Sequence, residues 1–340
     1  MRAGQIRPGA LGRLWRWLLP LGTLAVCAAC LCIGRVPITP AAVLRSIRGH
    51  LTGGALLSPA EELALWRLRL PRILLAALCG AGLSAAGCAY QSLFANPLAT
   101  PDTLGVASGA AFGAALALLL GFGTAGVQLL SLAFGVLAVL LTVLAGRGRQ
   151  GLTGVVLAGI MIGSLFSALI SLVKFTADTD NQLPAITYWL MGSMDGVGGK
   201  TLAAGAVPIV LGTGVLFLLR WRLNLLPLSE EEARATGVEL RLLRGAVVLC
   251  ATAITASCVS MCGQVGWVGL LMPHLCRMKF GGNQLALMPA SIFTGAAFLV
   301  AVDTVARSAT AAEIPISILT AVIGAPFFIV LLRRTGGWSL

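Results

Sequence analysis

The chain has 340 residues, 58% of them hydrophobic and only 11% charged, against about a quarter charged in soluble domains. That balance excludes a water-soluble globule, and because a crossing helix takes about 20 apolar residues, the supply fits on the order of ten spans. The net charge of +12, from 24 basic and 12 acidic residues, reads as membrane topology with basic loops held in the cytoplasm, and nucleic acid is set aside as a partner.

In chain order, residues 1–14 read as a cytoplasmic tail, and the first apolar run, 15–34, follows a basic start. It contains Cys27-Ala-Ala-Cys30, which resembles both a CxxC pair and a lipoprotein cleavage site. The hydrophobic stretches that follow favour a retained first span over a removed signal. Eight of the nine cysteines lie in apolar runs without histidines at zinc spacing, so they read as small hydrophobes. Further runs fall at about 71–94, 105–121, 125–146, 152–175, 202–220, 245–262, 284–302 and 314–332, giving nine in all. A tenth segment, 264–278, is short and contains Pro273 and His274. Such a broken segment is tolerated at membrane depth only where protein or a water-filled cavity covers it. Gly80, Gly82, Ala85, Ala86 and Gly87 allow close approach of helix backbones.

With a cytoplasmic amino terminus and ten alternating spans, the inside segments hold Arg2, Arg7, Arg13, Arg16, Arg147, Arg149, Arg220, Arg222, Arg234, Arg241, Arg244, Arg277, Lys279, Arg333 and Arg334, 15 of the 24 basic residues. Outside lie Lys174, Lys200, Arg307 and a group that breaks the positive-inside rule: Arg35, Arg45, Arg48, Arg67, Arg69 and Arg72. Concentration of the violation in one loop points to an acidic partner outside. All seven tryptophans, Trp15, Trp17, Trp66, Trp189, Trp221, Trp267 and Trp338, fall near span ends, as interfacial anchors do.

Three polar stretches are too specific for plain connectors. In the first, Tyr90 to Gly105, an Asn96-Pro97 step ends the second span, and Asp102 or Thr103 can cap the next helix. The second, Arg220 to Arg244, pairs Ser229 with Glu232 as a capping box and offers Gly237 as C-cap, predicting a two-turn amphipathic cytoplasmic helix. The third, Gly263 to Arg277, carries His274, read as structural rather than as a ligand. Asp303 is the one acid within an otherwise apolar run, four residues before Arg307, where an ion pair is available. Gly192 to Thr201 ends like a phosphate-binding loop, yet Met194 occupies the position of its first glycine and no strand is predicted before it. Neither an ATP-hydrolysing site nor the reacting constellation of an enzyme is visible.

With these segments assembled, the sequence resembles the permease subunits of bacterial ABC importers for iron-siderophores, haem and vitamin B12, the FecCD or BtuC-like family. The resemblance runs from about 15 to 335 and rests on Arg69-Leu70-Pro71-Arg72, Asn96-Pro97-Leu98-Ala99, Tyr188-Trp189-Leu190-Met191-Gly192, Glu232-Ala233-Arg234 to Gly237, Gly269-Leu270 with Pro273-His274, Asp303 to Arg307, Glu313-Ile314-Pro315 and Gly324-Ala325-Pro326-Phe327-Phe328.

That resemblance implies an all-α, type II importer permease, one transmembrane domain of about ten spans with both termini cytoplasmic, in the inner membrane. It implies a homodimer, two cytoplasmic ATPase subunits in which ATP and Mg act, a periplasmic or lipid-anchored binding protein, and no cofactor on this chain. Arg69, Arg72 and Arg307 map to binding-protein docking, with Asp303 and Arg307 as an ion pair. Ser229, Glu230, Glu231, Glu232, Ala233, Arg234 and Gly237, in the loop 221–244, map to ATPase coupling. The path maps to the fifth and tenth spans, 152–175 and 314–332, and its gate to Asn96, Leu98, Leu152 and Thr153. Two departures stand out: Leu275-Cys276-Arg277 and Gly281-Gly282-Asn283-Gln284 replace the family's usual pattern after Pro-His, and Leu152 replaces a polar residue. The expected cargo is an iron chelate, ferric siderophore first, with haem, cobalamin and molybdate as alternatives. An ion-coupled secondary transporter is the alternative from another mechanistic class.

Overall fold

The computed structural model describes residues 11–54, 57–146, 151–196, 198–310 and 312–334, and within them the chain is helical without a strand. The first span is α1 (Leu11–Cys32), so the first ten residues of the proposed tail lie outside the described residues. The segment expected as the first outer loop is not irregular. Thr39 accepts a hydrogen bond from the Ala42 amide at 3.2 Å and Pro40 occupies the first turn, starting α2 (Pro40–Thr52). Ser58 and Glu61 then form a second capping box before α3 (Pro59–Glu62), which continues through a π-helical segment (Leu63–Arg69) into α4 (Leu70–Leu93).

Beyond these come α5 (Val106–Leu119), α6 (Thr124–Ala145), α7 (Gly151–Thr176), α8 (Gln182–Leu190) and α9 (Gly199–Leu219). A short 3-10 turn at Arg222–Leu225 precedes α10 (Glu230–Ala235). The chain ends with α11 (Leu240–Cys262), α12 (Val268–Phe280), α13 (Gln284–Ser308) and α14 (Ile316–Arg334). Every apolar run predicted from the sequence falls on one of these helices. The outer arginines, expected in a loop, are largely helical instead, because a half-buried helix outside a span needs only a narrow apolar stripe. Here that stripe is Ile38, Ala42 and Val43 packed against Ala64 and Leu65.

Seven helical stretches among the described residues are long and apolar enough to cross a membrane. Val106–Leu119 and Ile316–Val330 are apolar but shorter, and α12 has 13 residues, about 20 Å against a hydrocarbon layer of about 30 Å. Of the ten expected segments, seven thus fall on helices long enough to cross, and those at 105–121 and 264–278 fall on shorter helices.

Helices α4, α11 and α13 form the centre: 78% of the apolar window of Pro59–Leu93 and 72% of that of Leu240–Cys262 is buried, against 17% for Leu152–Thr176 and 6% for Leu14–Cys32. In lipid no hydrophobic force draws helices together, so close packing of small residues must do it. Gly87 of α4 meets the start of α12 so closely that a Cβ there would lie 1.8 Å from the Gly269 carbonyl oxygen. Between α11 and α12 the chain is open over Gly263–Trp267, with Trp267 at φ +69°. Its ring packs on the backbone of α14 at Gly324, so the break in the tenth predicted segment is covered by protein.

Candidate functional site

Two polar regions stand at opposite ends of the helical core. At the end where α1 finishes and α4 begins, three arginines converge. The Arg69 guanidinium donates to the Leu31 carbonyl at 2.7 Å and to that of Val36, and Arg307 donates to the Cys30 carbonyl at 2.6 Å. Cys30 and Leu31 belong to the last turn of α1, whose carbonyls have no partner within the helix and carry the negative end of its dipole. Arg69 and Arg307 thus cap α1.

Arg72 lies between two acids, 2.8 Å from Asp303 and 2.8 Å from Glu313. Asp303, fully buried, also lies 3.8 Å from Arg307. Three cations face two carboxylates here, in a setting where an unmatched charge is costly.

The resemblance implies outward-facing arginines, but Arg69, Arg72 and Arg307 are only 5%, 9% and 8% exposed. They form the floor of a cavity of about 400 Å³ that also reaches Arg67, Asp195 and Glu313. Arg35 and Arg67, which line it, are exposed, as are Arg45 and Arg48 on α2. The Arg35 side chain reaches the Thr310 carbonyl at 3.0 Å. Beneath Arg45 and Arg48, α2 is fastened by Ser46, whose hydroxyl donates to Glu62 at 2.7 Å and accepts from the Trp66 indole at 2.9 Å. The stretch resembling a phosphate loop forms the turn between α8 and α9, with no strand before it among the described residues, and borders the same cavity through Met194, Asp195, Gly196 and Gly198.

At the other end, the predicted capping box forms. The Ser229 hydroxyl and amide donate to the Glu232 carboxylate at 2.9 Å and 3.0 Å, and the Glu232 amide donates back to the hydroxyl at 3.3 Å. Accepting from Ser229 lowers the pKa of Glu232. The helix spans only Glu230–Ala235, shorter than the predicted two turns, and Gly237 follows at φ +73°, the left-handed conformation that ends a helix. Glu231, Ser229 and Gly237 are exposed; the side chains of Glu230, Ala233 and Arg234 lie outside the described residues.

The gate candidates separate. Asn96 and Leu98 border a cavity of about 590 Å³ with Asp102, Ser108 and the α7 residues Ile160 and Ser164. Asn96 accepts from the Leu98 amide at 2.9 Å, and Asp102 accepts from the Ala107 amide at 2.8 Å, securing the start of α5. Leu152 instead faces an apolar cavity with Leu93, Val139 and Val248, and Thr153 is exposed on the first turn of α7. The polar side of α7 is a stripe of exposed hydroxyls, Ser164, Ser167 and Ser171, each bonded to the carbonyl four residues before it at 2.9 to 3.1 Å. No cluster of three or more metal-ligating side chains occurs among the described residues, and His274 stands edge-on to Phe328 at 5.8 Å between ring centres.

The FecCD transport family is matched over residues 22–334. The chain belongs to the FecCD transport family. A solved structure described as an inward-facing conformation of a putative metal-chelate type ABC transporter aligns with this FecCD chain at TM-score 0.85 and 39% identity, covering 94% of this chain and 98% of that one. Among curated relatives, the molybdate import system permease protein MolB of Haemophilus influenzae is 43% identical over 280 residues, 82% of this chain and 83% of that protein. A probable iron chelatin transport system permease protein of Helicobacter pylori is 37% identical over 297 residues, 87% of this chain and 90% of that protein. The membrane-permease reading of the sequence thus stands at the level of the family, while its relatives are named for different cargoes.

Two functional contacts were not legible in the sequence. Glu313 stood out only as part of a landmark, with nothing to mark it as the second partner of Arg72. Asp303 was read with its near neighbour Arg307, although its shorter contact is with Arg72, 231 residues away.

Proposed function

We propose that this FecCD permease is the membrane subunit of an ATP-driven importer for a metal-containing solute, an iron chelate of the siderophore type in the first reading. It works as a homodimer of ten-span subunits in the cytoplasmic membrane, both termini inside, with two ATP-binding-cassette subunits that hold ATP and Mg and an external binding protein. The observation that carries this reading is the near-complete alignment, at 39% identity, with a structure described as a metal-chelate type ABC transporter. In this reading Ser229 to Gly237 seats in the ATPase subunit. Asn96 and Leu98 gate a path along the serine face of α7, with Leu152 and Thr153 at the foot of that helix. Molybdate is the second reading, favoured by the 43% identity to MolB.

Reconstitution with the ATPase and binding protein tests it. ATP-driven uptake of a labelled ferric chelate supports the first reading, and uptake of labelled molybdate alone moves the assignment to the second. Uptake driven by a proton or sodium gradient without ATP would sink both.

Docking of the binding protein belongs to the arginine-rich end. Arg45, Arg48 and Arg67 offer exposed charge, while Arg69, Arg72 and Arg307 hold the floor that an acidic side chain reaches last. Charge reversal of Arg45, Arg48 and Arg67 together should weaken association and abolish its strengthening at low salt, since such attraction is screened over about 8 Å at physiological ionic strength. Arg69→Glu and Arg307→Glu should weaken it too, and should also lower thermal stability because both side chains cap α1. Association unchanged in all of these variants refutes the docking role.

A further inference from the structure

Gln284, the first residue of α13, is 1% exposed and every polar group of its side chain is engaged. Its side-chain carbonyl accepts from the Cys88 thiol at 3.0 Å, and its amide nitrogen donates to the Ser92 hydroxyl at 2.6 Å. Both partners are on the last turns of α4 and are buried. Its backbone N–H donates to Asn224 at 2.9 Å, and Asn224 donates in turn to the Trp221 carbonyl at 3.1 Å and to Asn283 at 3.3 Å. Asn224 sits in the turn that opens the cytoplasmic stretch leading to α10. Nearby, Arg277 of α12 donates to Gln91 of α4 at 3.1 Å. From the same end of α4 the chain passes within three residues to Asn96, at the cavity bordered by α7.

We propose that Gln284 is a positioning residue that ties movement of the ATPase-docking stretch to α4 and so to the Asn96 turn. The inference rests on the importer reading above. A buried carboxamide with both ends bonded has no slack in a low dielectric, so the docking stretch moves either by breaking these bonds or by carrying the end of α4 with it.

Wild-type and Gln284→Met complexes, reconstituted in liposomes with the ATPase and binding protein, would be assayed for ATP hydrolysis and for uptake of a ferric hydroxamate chelate and of molybdate side by side. The methionine variant should assemble and keep its basal hydrolysis, while uptake per ATP falls about fivefold, within the span that substitutions in coupling networks produce. Gln284→Glu should restore most of the coupling, because the Ser92 hydroxyl can reverse to donate. A purely structural role would lower assembly and hydrolysis together and leave uptake per ATP unchanged. If the methionine variant fails to assemble, Ser92→Ala, which removes one contact only, carries the same expectation. Unchanged uptake per ATP in these variants, beside an active wild type, overturns the inference alone. A wild-type complex whose uptake runs on a proton or sodium gradient without ATP overturns the importer reading and the inference with it.

Discussion

Replacing Asp303 with asparagine should lower the stability of the solubilised permease by roughly 3–5 kcal/mol, the range for breaking a buried ion pair by removing one partner. Asp303 is fully buried and lies 2.8 Å from Arg72 and 3.8 Å from Arg307. Arg72 would keep Glu313, but Arg307 would lose the carboxylate beside it and retain the end of α1. Without that anion, three largely buried arginines share one acid. Thermal melting in detergent measures the effect, and a variant that melts with the wild type refutes it. The double variant Asp303→Leu, Arg72→Met should recover part of the loss, because apolar replacement of both partners leaves fewer unmatched charges than removal of one. The experiment also separates mechanisms. The loss of stability is expected under either mechanism, but an ion-coupled transporter would also lose gradient-driven uptake in the Asp303→Asn protein that folds, whereas in the importer reading that protein keeps ATP-driven uptake and associates less with the binding protein.

A second large effect is expected at Gly87. A Cβ at this position would lie 1.8 Å from the Gly269 carbonyl oxygen and 2.6 Å from its carbon, both backbone atoms that no rotamer change can move. Gly87→Ala should therefore cost about 1–3 kcal/mol, as overpacking does in well-packed cores. Gly87→Leu should prevent α4 and α12 from seating and yield aggregated protein on size-exclusion chromatography. Gly214→Ala in α9, where nothing lies within 4 Å of the added carbon, is the control and should melt with the wild type. A Gly87→Leu protein that elutes and melts like the wild type would show that α4 and α12 do not pack at this distance.

Much of the architecture was readable because the bilayer imposes one rule, an apolar helix for every crossing, and the apolar runs of this chain are long and bounded by charge, glycine or proline. Ser229 and Glu232 likewise identified a helix start, since a capping box is satisfied within four residues. The helices outside the longest runs were harder. The segment holding α2 carries Arg45 and Arg48 among its apolar residues, and its stripe becomes meaningful only against Ala64 and Leu65. Leu152 and Thr153 were grouped with Asn96 and Leu98, but their places on the first turn of α7 turn them to other surroundings, and helical phase cannot be fixed without neighbours.

The chain's sequence by itself determined that it is a helical membrane protein with an excess of arginine around the start of α4, because composition, periodicity and local capping are properties of neighbouring residues; the FecCD family entered through the resemblance of its ordered motifs. Tertiary structure alone decided what those arginines do. Arg69 and Arg307 meet the open carbonyls at the end of α1, and Arg72 meets Asp303 and Glu313, 231 and 241 residues away. The physical reason is that a buried charge is stabilised by whichever opposite charge or dipole the packing brings within about 4 Å, and packing in this fold joins helices from opposite ends of the chain.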